Sequence, residues 1–319
     1  MTSTPASNAP RTLGTTGLTV SGICVGTSPL GNMPKTYGYE VGEKSALDTL
    51  REVLSSPLTF IDTSNQYGEG ESERLIGKAL REAGGLPPGF VLATKIDPLP
   101  GNPDFSGARA RASVAESCER LGLDTLDLVY LHDAERIDFD YAVGPGGPVE
   151  ALEELKAEGV VQHIGVASGP VDLERRFVAT GRFEVVLTHN RWSLLDRSGD
   201  PLLAEAAAAG VAVVNAAPFG GGILVKGPDQ MSTYGYRPAP EPVMESARAM
   251  QRACAERGVP LAAAALQFST RDPRVSSTVV GFTQPSRVQA TLELAAAEIP
   301  EALWEELDAL VPPAEHWLY

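Results

Sequence analysis

Cysteine is scarce in this 319-residue sequence, which contains only Cys24, Cys118 and Cys254. The three residues lie far apart and form no CxxC pair. An odd, sparse set of this kind argues against a disulfide framework and against a structural zinc site. We therefore expect three free thiols that pack as small apolar side chains, and no bound metal.

Long hydrophobic runs are also missing. The longest apolar-rich stretch, 204–217, is mostly alanine and is interrupted by Glu205 and Gly210. Nothing approaches the roughly 20 apolar residues of a membrane span, and the first residues lack the apolar core of a signal peptide. We expect a cytoplasmic protein with a disordered tail over residues 1–10 and a single domain over residues 11–319.

Positive charge is in deficit, because 26 Lys and Arg residues stand against 41 Asp and Glu residues, a formal net charge of −15. Such a charge repels phosphate backbones and acidic membranes, so neither a nucleic acid nor a membrane surface is an expected partner. Hydrophobic residues make up 43% of the chain and charged residues 21%, as in ordinary folded proteins. The length suits two average domains or one large barrel.

Short apolar runs alternate with helical patterns along the whole chain, and no linker divides them. Several runs are rich in β-branched residues, as strands buried on both faces tend to be. The eight runs are Ile23 to Gly26, Thr59 to Asp62, Phe90 to Lys95, Leu126 to His132, His163 to Ala167, Val185 to Thr188, Val211 to Ala216 and Ser277 to Gly281. Between them apolar residues recur at helical spacing, for example from Val288 to Ile299.

Eight strand–helix pairs predict an α/β fold, a (β/α)8 TIM barrel with its site at the carboxyl ends of the strands. The alternative is a doubly wound open sheet, but the segment from Gly26 to Gly31 lacks the GxGxxG spacing of that fold. The segment from Leu13 to Val20 reads as a β-hairpin that closes the barrel floor. A Gly-Pro-rich segment from Pro218 to Pro242 predicts a long loop on the catalytic side.

Three of the predicted strands end in polar side chains that carry chemistry: Asp62, Lys95 and His132. In a barrel these side chains meet at the carboxyl-terminal rim, and Tyr67 follows Asp62 by five residues in the adjoining loop. Each residue alone has an ordinary structural explanation. Three such residues after successive strands, with a tyrosine beside them, predict a catalytic site.

This set of residues suits proton transfer by a phenol. A free tyrosine has a pKa of about 10, and we expect the Lys95 cation to lower the pKa of Tyr67, while Asp62 holds the lysine. His132 would orient a substrate oxygen, and Tyr67 would exchange a proton with it. The sequence shows neither a nucleophile nor a metal cluster, so a cofactor must exchange the hydride, which implies a nicotinamide nucleotide.

Over nearly its whole length the sequence resembles an aldo-keto reductase. The resemblance rests on the segments FIDTSNQYGEGESERLIGKAL, ATKI, LDLVYLHD, GVASGP, NAAPFGGGIL and GFTQPSRV. It implies the barrel fold, and the family's catalytic Asp, Tyr, Lys and His correspond to Asp62, Tyr67, Lys95 and His132. Members of the family bind NAD or NADP in extended form over the strand ends, without a Rossmann domain.

The cofactor positions implied by the resemblance match less closely. Ser168, His189 and Asn190 stand where the family binds the nicotinamide carboxamide, and Phe219 could provide a ring platform. The implied set is Gly26, Thr27, Ser168, His189, Asn190, Pro218, Phe219, Gly220, Gly222, Gly281, Thr283 and Arg287. Arg287 is the single cation available for a 2′-phosphate, which favours NAD over NADP.

A narrower resemblance links the chain to the branch of aldose 1-dehydrogenases, L-galactose dehydrogenase and pyridoxal 4-dehydrogenase. It implies oxidation of a small aldose, of the L-fucose, L-galactose or D-arabinose type, to a lactone, with Tyr67 as general base. Tyr37 and Trp192 are weak candidates for substrate contacts. The alternatives are a pyridoxal 4-dehydrogenase and an NADPH-dependent aldehyde reductase. A regulatory role like that of potassium-channel β subunits would need a partner surface, which the sequence does not indicate.

Overall fold

The computed structural model describes residues 8–235 and 237–318. Its strands are β1 (Arg11–Thr12), β2 (Thr19–Val20), β3 (Ile23–Gly26), β4 (Phe60–Asp62), β5 (Val91–Ile96), β6 (Leu126–His132), β7 (Val161–Ser168), β8 (Val185–His189), β9 (Ala212–Ala216), β10 (Thr233–Tyr234), β11 (Arg237–Pro238) and β12 (Val275–Gly281). Eight of them form a closed parallel barrel in the order β12-β3-β4-β5-β6-β7-β8-β9. The predicted (β/α)8 barrel is confirmed, and the eight predicted strands match these eight with ends within two residues.

Helices surround the barrel. They are α1 (Pro34–Tyr37), α2 (Glu43–Leu54), α3 (Glu71–Ala83), α4 (Gly107–Leu121), α5 (Phe139–Val143), α6 (Pro148–Ala157), α7 (Val171–Ala179), α8 (Asp200–Ala209), α9 (Ile223–Lys226), α10 (Glu241–Glu256), α11 (Leu261–Thr270), α12 (Ser286–Ala296) and α13 (Glu301–Ala309). Their apolar faces and the outward side chains of the strands form one large core, and a second cluster fills the barrel interior.

The hairpin of β1 and β2 closes the amino-terminal end of the barrel. Leu13 and Val20 are fully buried in the interior cluster, together with Val91, Val185 and Ala212, which begin or nearly begin their strands. The structure therefore contains the barrel floor that the sequence predicts, and this floor leaves the carboxyl-terminal end of the barrel for the site.

Two sequence-based boundaries are wrong. The helix predicted to reach Ile299 ends at Ala296, because Ala297 is extended and a residue before a proline, here Ile299 before Pro300, disfavours helical backbone. The long loop predicted to reach Pro242 ends earlier, because α10 begins at Glu241. A proline in the first turn of a helix forfeits no intrahelical hydrogen bond.

The two ends of the described chain are attached to the barrel. Asn8 Oδ1 accepts a hydrogen bond from the Ile23 amide at 3.2 Å, and the Leu318 amide donates to Asp196 Oδ2 at 2.7 Å. Residues 1–7 of the predicted tail lie outside the described residues. Within the described part of the chain, all three cysteines are free thiols, and no helix is both long and apolar enough to cross a bilayer.

Candidate active site

Parallel pairing of β4 with β5 brings Asp62 and Lys95 together. Lys95 Nζ donates to both carboxylate oxygens of Asp62, at 2.7 and 2.9 Å, and to the Thr63 carbonyl at 2.5 Å. The Lys95 residue is 1% exposed and Asp62 is 3% exposed. Burial raises the pKa of Asp62, and the Lys95 charge opposes that rise. The predicted ion pair is therefore present, and it is buried from solvent.

Tyr67 reaches this pair from the loop between β4 and α3. Lys95 Nζ donates to the Tyr67 hydroxyl at 3.2 Å and lies 4.7 Å from the centroid of its ring. The Tyr67 and His132 rings meet edge to face with their centroids 5.8 Å apart. The structure thus brings together all four residues proposed as catalytic at the carboxyl end of the barrel.

The loop that carries Tyr67 is fastened to helix α4. The Asn65 amide group donates to the Ser113 carbonyl at 3.1 Å, and Arg120 donates to the Asn65 carbonyl at 3.2 Å. Arg120 also pairs at 3.0 Å with Glu73, which is fully buried. These contacts hold the loop that positions the Tyr67 phenol, although none of them is made by the Tyr67 side chain itself.

The expected effect on the phenol is wrong in direction. Burial raises the pKa of Tyr67 well above its usual value, and the negative charge of Asp62 pushes it the same way. The sequence predicts a lowered pKa because it shows the lysine but not the depth of burial. The raised pKa favours the protonated phenol, so the fraction of Tyr67 present as phenolate grows with pH.

Sequence reasoning missed Asp97, which binds His132 from the end of β5. The Asp97 Oδ1 and His132 Nδ1 atoms lie 2.7 Å apart, and the Ser64 hydroxyl donates to Asp97 Oδ2. Burial lowers the pKa of His132, but the charge and hydrogen bond of Asp97 outweigh burial, so the net pKa is raised. The available signal was spacing, because Asp97 lies two residues after Lys95 and alternate strand residues share a face.

Gly26 and Thr27 do not form a ligand surface, which corrects their assignment as cofactor contacts. Thr27 is fully buried, and its hydroxyl donates to the Asp62 carbonyl at 2.9 Å. Gly26 is buried against β12, where a β-carbon would lie 2.8 Å from Val279. Both residues support the strand end that carries Asp62.

Ser168, His189 and Asn190 lie together at the ends of β7 and β8. The Ser168 hydroxyl donates to Glu135 at 2.8 Å, and Asn190 Nδ2 lies 3.1 Å from His189 Nδ1. Asn190 is 2% exposed, and its Oδ1 atom has no hydrogen-bond partner among the described residues. Burial lowers the pKa of His189, which favours the neutral ring. These groups offer a buried acceptor to a carboxamide.

The loop after β9 allows a ligand to approach its backbone closely. Gly220, Gly221 and Gly222 all have positive φ angles, of 59°, 75° and 110°, and carry no side chain that would block the approach. The Gly220 and Gly222 amides donate to backbone carbonyls of the same turn. Pro218 is buried and Phe219 is half-buried beside them. The implied cofactor residues from Pro218 to Gly222 therefore lie together after β9.

Three implied cofactor residues follow β12. Gly281 is exposed, and the half-buried Thr283 accepts a hydrogen bond from Ser45 through its carbonyl at 3.3 Å. Arg287 is exposed on α12. Burial raises the pKa of the nearby Tyr39, and the Arg287 charge opposes that rise. Arg287 is thus free to meet an anion at the rim.

The two candidate substrate contacts differ in position. The Tyr37 hydroxyl lies 2.6 Å from the Ser28 hydroxyl, and its ring stacks on Tyr39 in the loop after β3, beside the barrel mouth. Trp192 is buried against Phe268 of α11, with ring centroids 5.2 Å apart. The assignment of Trp192 to the substrate is wrong, because its ring packs in the helix layer.

The residues at the strand ends fit a nicotinamide dinucleotide. The Asn190 side-chain oxygen, which has no partner among the described residues, suits the carboxamide, and the glycine backbone after β9 allows a pyrophosphate to approach closely. Within residues 8–235 and 237–318, no group of three or more His, Cys, Asp or Glu side chains could hold a metal ion. The arrangement places the Tyr67 hydroxyl beside Lys95 at the same end of the barrel.

The chain is similar to proteins of one enzyme family over most of its length. The model of the aldo/keto reductase family matches residues 22–312. L-galactose dehydrogenase of Arabidopsis thaliana is 33% identical, over 96% of this chain and 95% of that protein. D-threo-aldose 1-dehydrogenase of a Pseudomonas species is 32% identical, over 91% and 94%.

Two further proteins, one of them a solved structure, are similar to this chain. Pyridoxal 4-dehydrogenase of Microbacterium luteolum is 31% identical, over 93% of this chain and 96% of that protein. Among solved structures, the holo form of an aldo-keto reductase from Bacillus halodurans has a TM-score of 0.78 and 25% identity, and the match covers 96% of each chain.

Proposed function

The chain belongs to the aldo/keto reductase family of oxidoreductases, and on that basis we propose that it oxidises the hemiacetal carbon of a small aldose to a lactone. The substrate is of the L-fucose, L-galactose or D-arabinose type. The observation that carries the proposal is the cluster of Tyr67, Lys95 and His132 at one end of the barrel. Two of the relatives named above act on aldoses or L-galactose.

We assign each side chain of the cluster a separate task. The Tyr67 oxygen takes the proton of the anomeric hydroxyl as the carbonyl of the lactone forms. Lys95 stabilises the negative charge that the Tyr67 phenolate carries before it takes this proton, and Asp62 orients the lysine. His132 binds the substrate oxygen from the other side. The oxidised nicotinamide, when bound, accepts the hydride that leaves the same carbon.

We propose NAD as the preferred cofactor, with NADP as the alternative. Ser168, His189 and Asn190 would hold the carboxamide, and Gly220 to Gly222 the pyrophosphate. Arg287 is the implied partner of a 2′-phosphate, and one exposed cation gives an added dianion little support.

The test is an assay of reduced-nicotinamide absorbance in which NAD and NADP are offered separately with L-fucose, L-galactose, D-arabinose and pyridoxal. We expect turnover of an aldose with NAD, and a loss of about 100-fold or more in Tyr67→Phe, the size typical of a lost general acid or base. The matched control is Tyr130→Phe, which removes a buried phenol oxygen that has no hydrogen-bond partner among the described residues. Full activity in Tyr67→Phe, or turnover of pyridoxal alone, would contradict the proposal.

A second candidate is an NADPH-dependent aldehyde reductase, in which the same residues run in the opposite direction. The raised pKa of Tyr67 favours it, because burial stabilises the protonated phenol and reduction starts from that form. Oxidation of NADPH by simple aldehydes, without turnover of any aldose, would decide for the reductase.

A further inference from the structure

We propose that Asp97 is a positioning residue that fixes the tautomer and the charge of His132. It takes the hydrogen bond of Nδ1–H, so Nε2 is left as the nitrogen that gains and loses a proton toward the substrate. This inference deepens the proposed function and rests on it for the identity of the substrate. The dyad itself can be tested in the protein without substrate.

The geometry of Asp97 supports the proposal. Its carboxylate is fully buried and lies 2.7 Å from His132 Nδ1. The Asp97 amide donates a hydrogen bond to the Ser113 hydroxyl at 3.1 Å, and the Asp97 carbonyl accepts one from Arg109 Nε at 3.0 Å. Helix α4 thus holds the backbone of Asp97, and His132 of β6 binds its carboxylate.

The second carboxylate oxygen of Asp97 is also bound. The Ser64 hydroxyl donates to Oδ2, and the Gln66 amide donates to it at 3.2 Å. Ser64 and Gln66 belong to the loop that carries Tyr67, so one carboxylate ties the histidine to the tyrosine loop. Only Oδ1 remains to face the imidazole.

The opposite edge of the imidazole faces the mouth of the barrel. Nδ1 lies against the buried Asp97, whereas the His132 side chain as a whole is 14% exposed. Nε2 lies 3.5 Å from Asp133 Oδ1, on a side chain that is 40% exposed. When Nδ1–H donates to a carboxylate, the neutral ring keeps its proton on Nδ1. The ring then gains and loses its second proton at Nε2, where a substrate oxygen can meet it.

Several charged and titratable groups face this ring from the surrounding elements. They are Asp62 of β4, Lys95 of β5, Asp97 just after β5, Tyr67 of the loop after β4, Asp133 just after β6 and His189 of β8. Asp97 is the one that is both buried and hydrogen-bonded to the ring. The charge of Asp97 should therefore dominate the titration of His132.

The experiment is a pH titration of ¹⁵N-histidine-labelled protein by long-range proton–nitrogen NMR. The chain has four histidines, and His132→Gln assigns the resonances of His132. In the wild type we expect the neutral ring to carry its proton on Nδ1. In Asp97→Asn we expect the titration midpoint to fall by about one pH unit, because removal of an adjacent opposite charge has an effect of about that size.

The matched control is Asp127→Asn. Asp127 lies on the same strand as His132, is half-buried and accepts a hydrogen bond from the Leu92 amide at 2.9 Å. We expect it to leave the His132 midpoint unchanged. An equal fall in both variants would overturn the proposal, as would an unchanged midpoint in Asp97→Asn.

The wild-type tautomer is a test in itself, should Asp97→Asn fail to fold. A neutral ring protonated on Nε2 would overturn the inference. Because neither readout needs a substrate, failure of the proposed aldose oxidation leaves the result for Asp97 standing. If the wild type turns over an aldose but the His132 midpoint is the same in Asp97→Asn, only the role of Asp97 is refuted.

Discussion

At the scale of single residues, the buried ion pair of Lys95 and Asp62 carries the largest expected effect on stability. We predict that Lys95→Met lowers the free energy of unfolding by about 3–5 kcal/mol, because it leaves the Asp62 carboxylate buried without its cation. The measurement is urea unfolding followed by circular dichroism. The double variant Asp62→Asn/Lys95→Met should recover part of the loss.

Lys78→Met is the control for this prediction. Lys78 pairs with Glu43 at 2.9 Å, but both side chains are more than 40% exposed, and exposed pairs contribute little because water screens them. We expect a much smaller change in unfolding free energy than for Lys95→Met. Equal losses in the two variants would show that burial does not set the energy of the Lys95 pair.

The pH dependence of turnover is a second prediction at this scale. Oxidation needs the Tyr67 phenolate, and the pKa of Tyr67 is raised above its usual value. The phenolate fraction therefore grows as the pH rises toward that pKa, so kcat for oxidation should increase throughout the neutral and mildly alkaline range. Reduction needs the phenol and should not show this increase. Steady-state rates in both directions, measured on one set of buffers, check the prediction.

The sequence predicts the members of the cluster better than it predicts their environments. Asp62, Lys95 and His132 end strands, so the barrel alone brings them to one rim. The pKa of Tyr67 and the contact of Asp97 with His132 depend on burial and on side-chain direction across two strands. Burial is not visible in the order of residues along the chain, and the two-residue spacing from Lys95 indicates the face of Asp97 but not its contact with His132.

At the scale of elements, the hairpin under the barrel gives a matched pair of variants. Gly14 and Gly17 both have positive φ angles, so alanine is strained at either position. A β-carbon on Gly14 would also lie 2.8 Å from the Ala212 amide nitrogen, whereas none on Gly17 would meet an atom within 4 Å. We predict that Gly14→Ala destabilises by about 1–3 kcal/mol more than Gly17→Ala, the usual cost of overpacking.

Urea unfolding of the two glycine variants checks this prediction. Equal losses would mean that backbone strain alone governs both positions, and that the hairpin is not pressed against β9. A greater loss for Gly14→Ala would confirm that the floor is packed as tightly as an ordinary core.

Element boundaries show where sequence patterns stop being sufficient. The strands are predictable because each is a short apolar run buried on both faces. The end of α12 is not, because apolar spacing continues to Ile299 although Pro300 disfavours helix there. Apolar spacing records which side chains are buried, whereas a helix end is set by local backbone conformation.

At the scale of the whole molecule, the net charge of −15 should appear in the thermal stability. Like charges on a compact chain repel, and salt shortens the range of that repulsion from about 30 Å at 0.01 M to about 8 Å at 0.15 M. We predict that Tm rises by a few degrees between these salt concentrations at neutral pH. Differential scanning calorimetry measures it, and sodium chloride and potassium chloride should act alike.

A fall in Tm with salt would contradict this prediction. It would mean that the many surface ion pairs, such as Arg111 with Glu154 and Glu158, together outweigh the net repulsion. As the pH is lowered and carboxylates take up protons, the net negative charge shrinks, and the effect of salt should shrink with it.

The strands that carry the proton-handling side chains are consecutive, and this has a consequence for how the protein can diversify. Asp62, Lys95 and His132 lie at the carboxyl ends of β4, β5 and β6, whereas the groups proposed to hold the nucleotide lie at or just after the ends of β7, β8, β9 and β12. A mutant library confined to the chain after β6 can therefore search for a new cofactor preference while the acid–base residues are inherited intact. Recombination between homologues in the segment between α5 and α6 would exchange the acid–base residues and the proposed nucleotide-binding residues independently of each other.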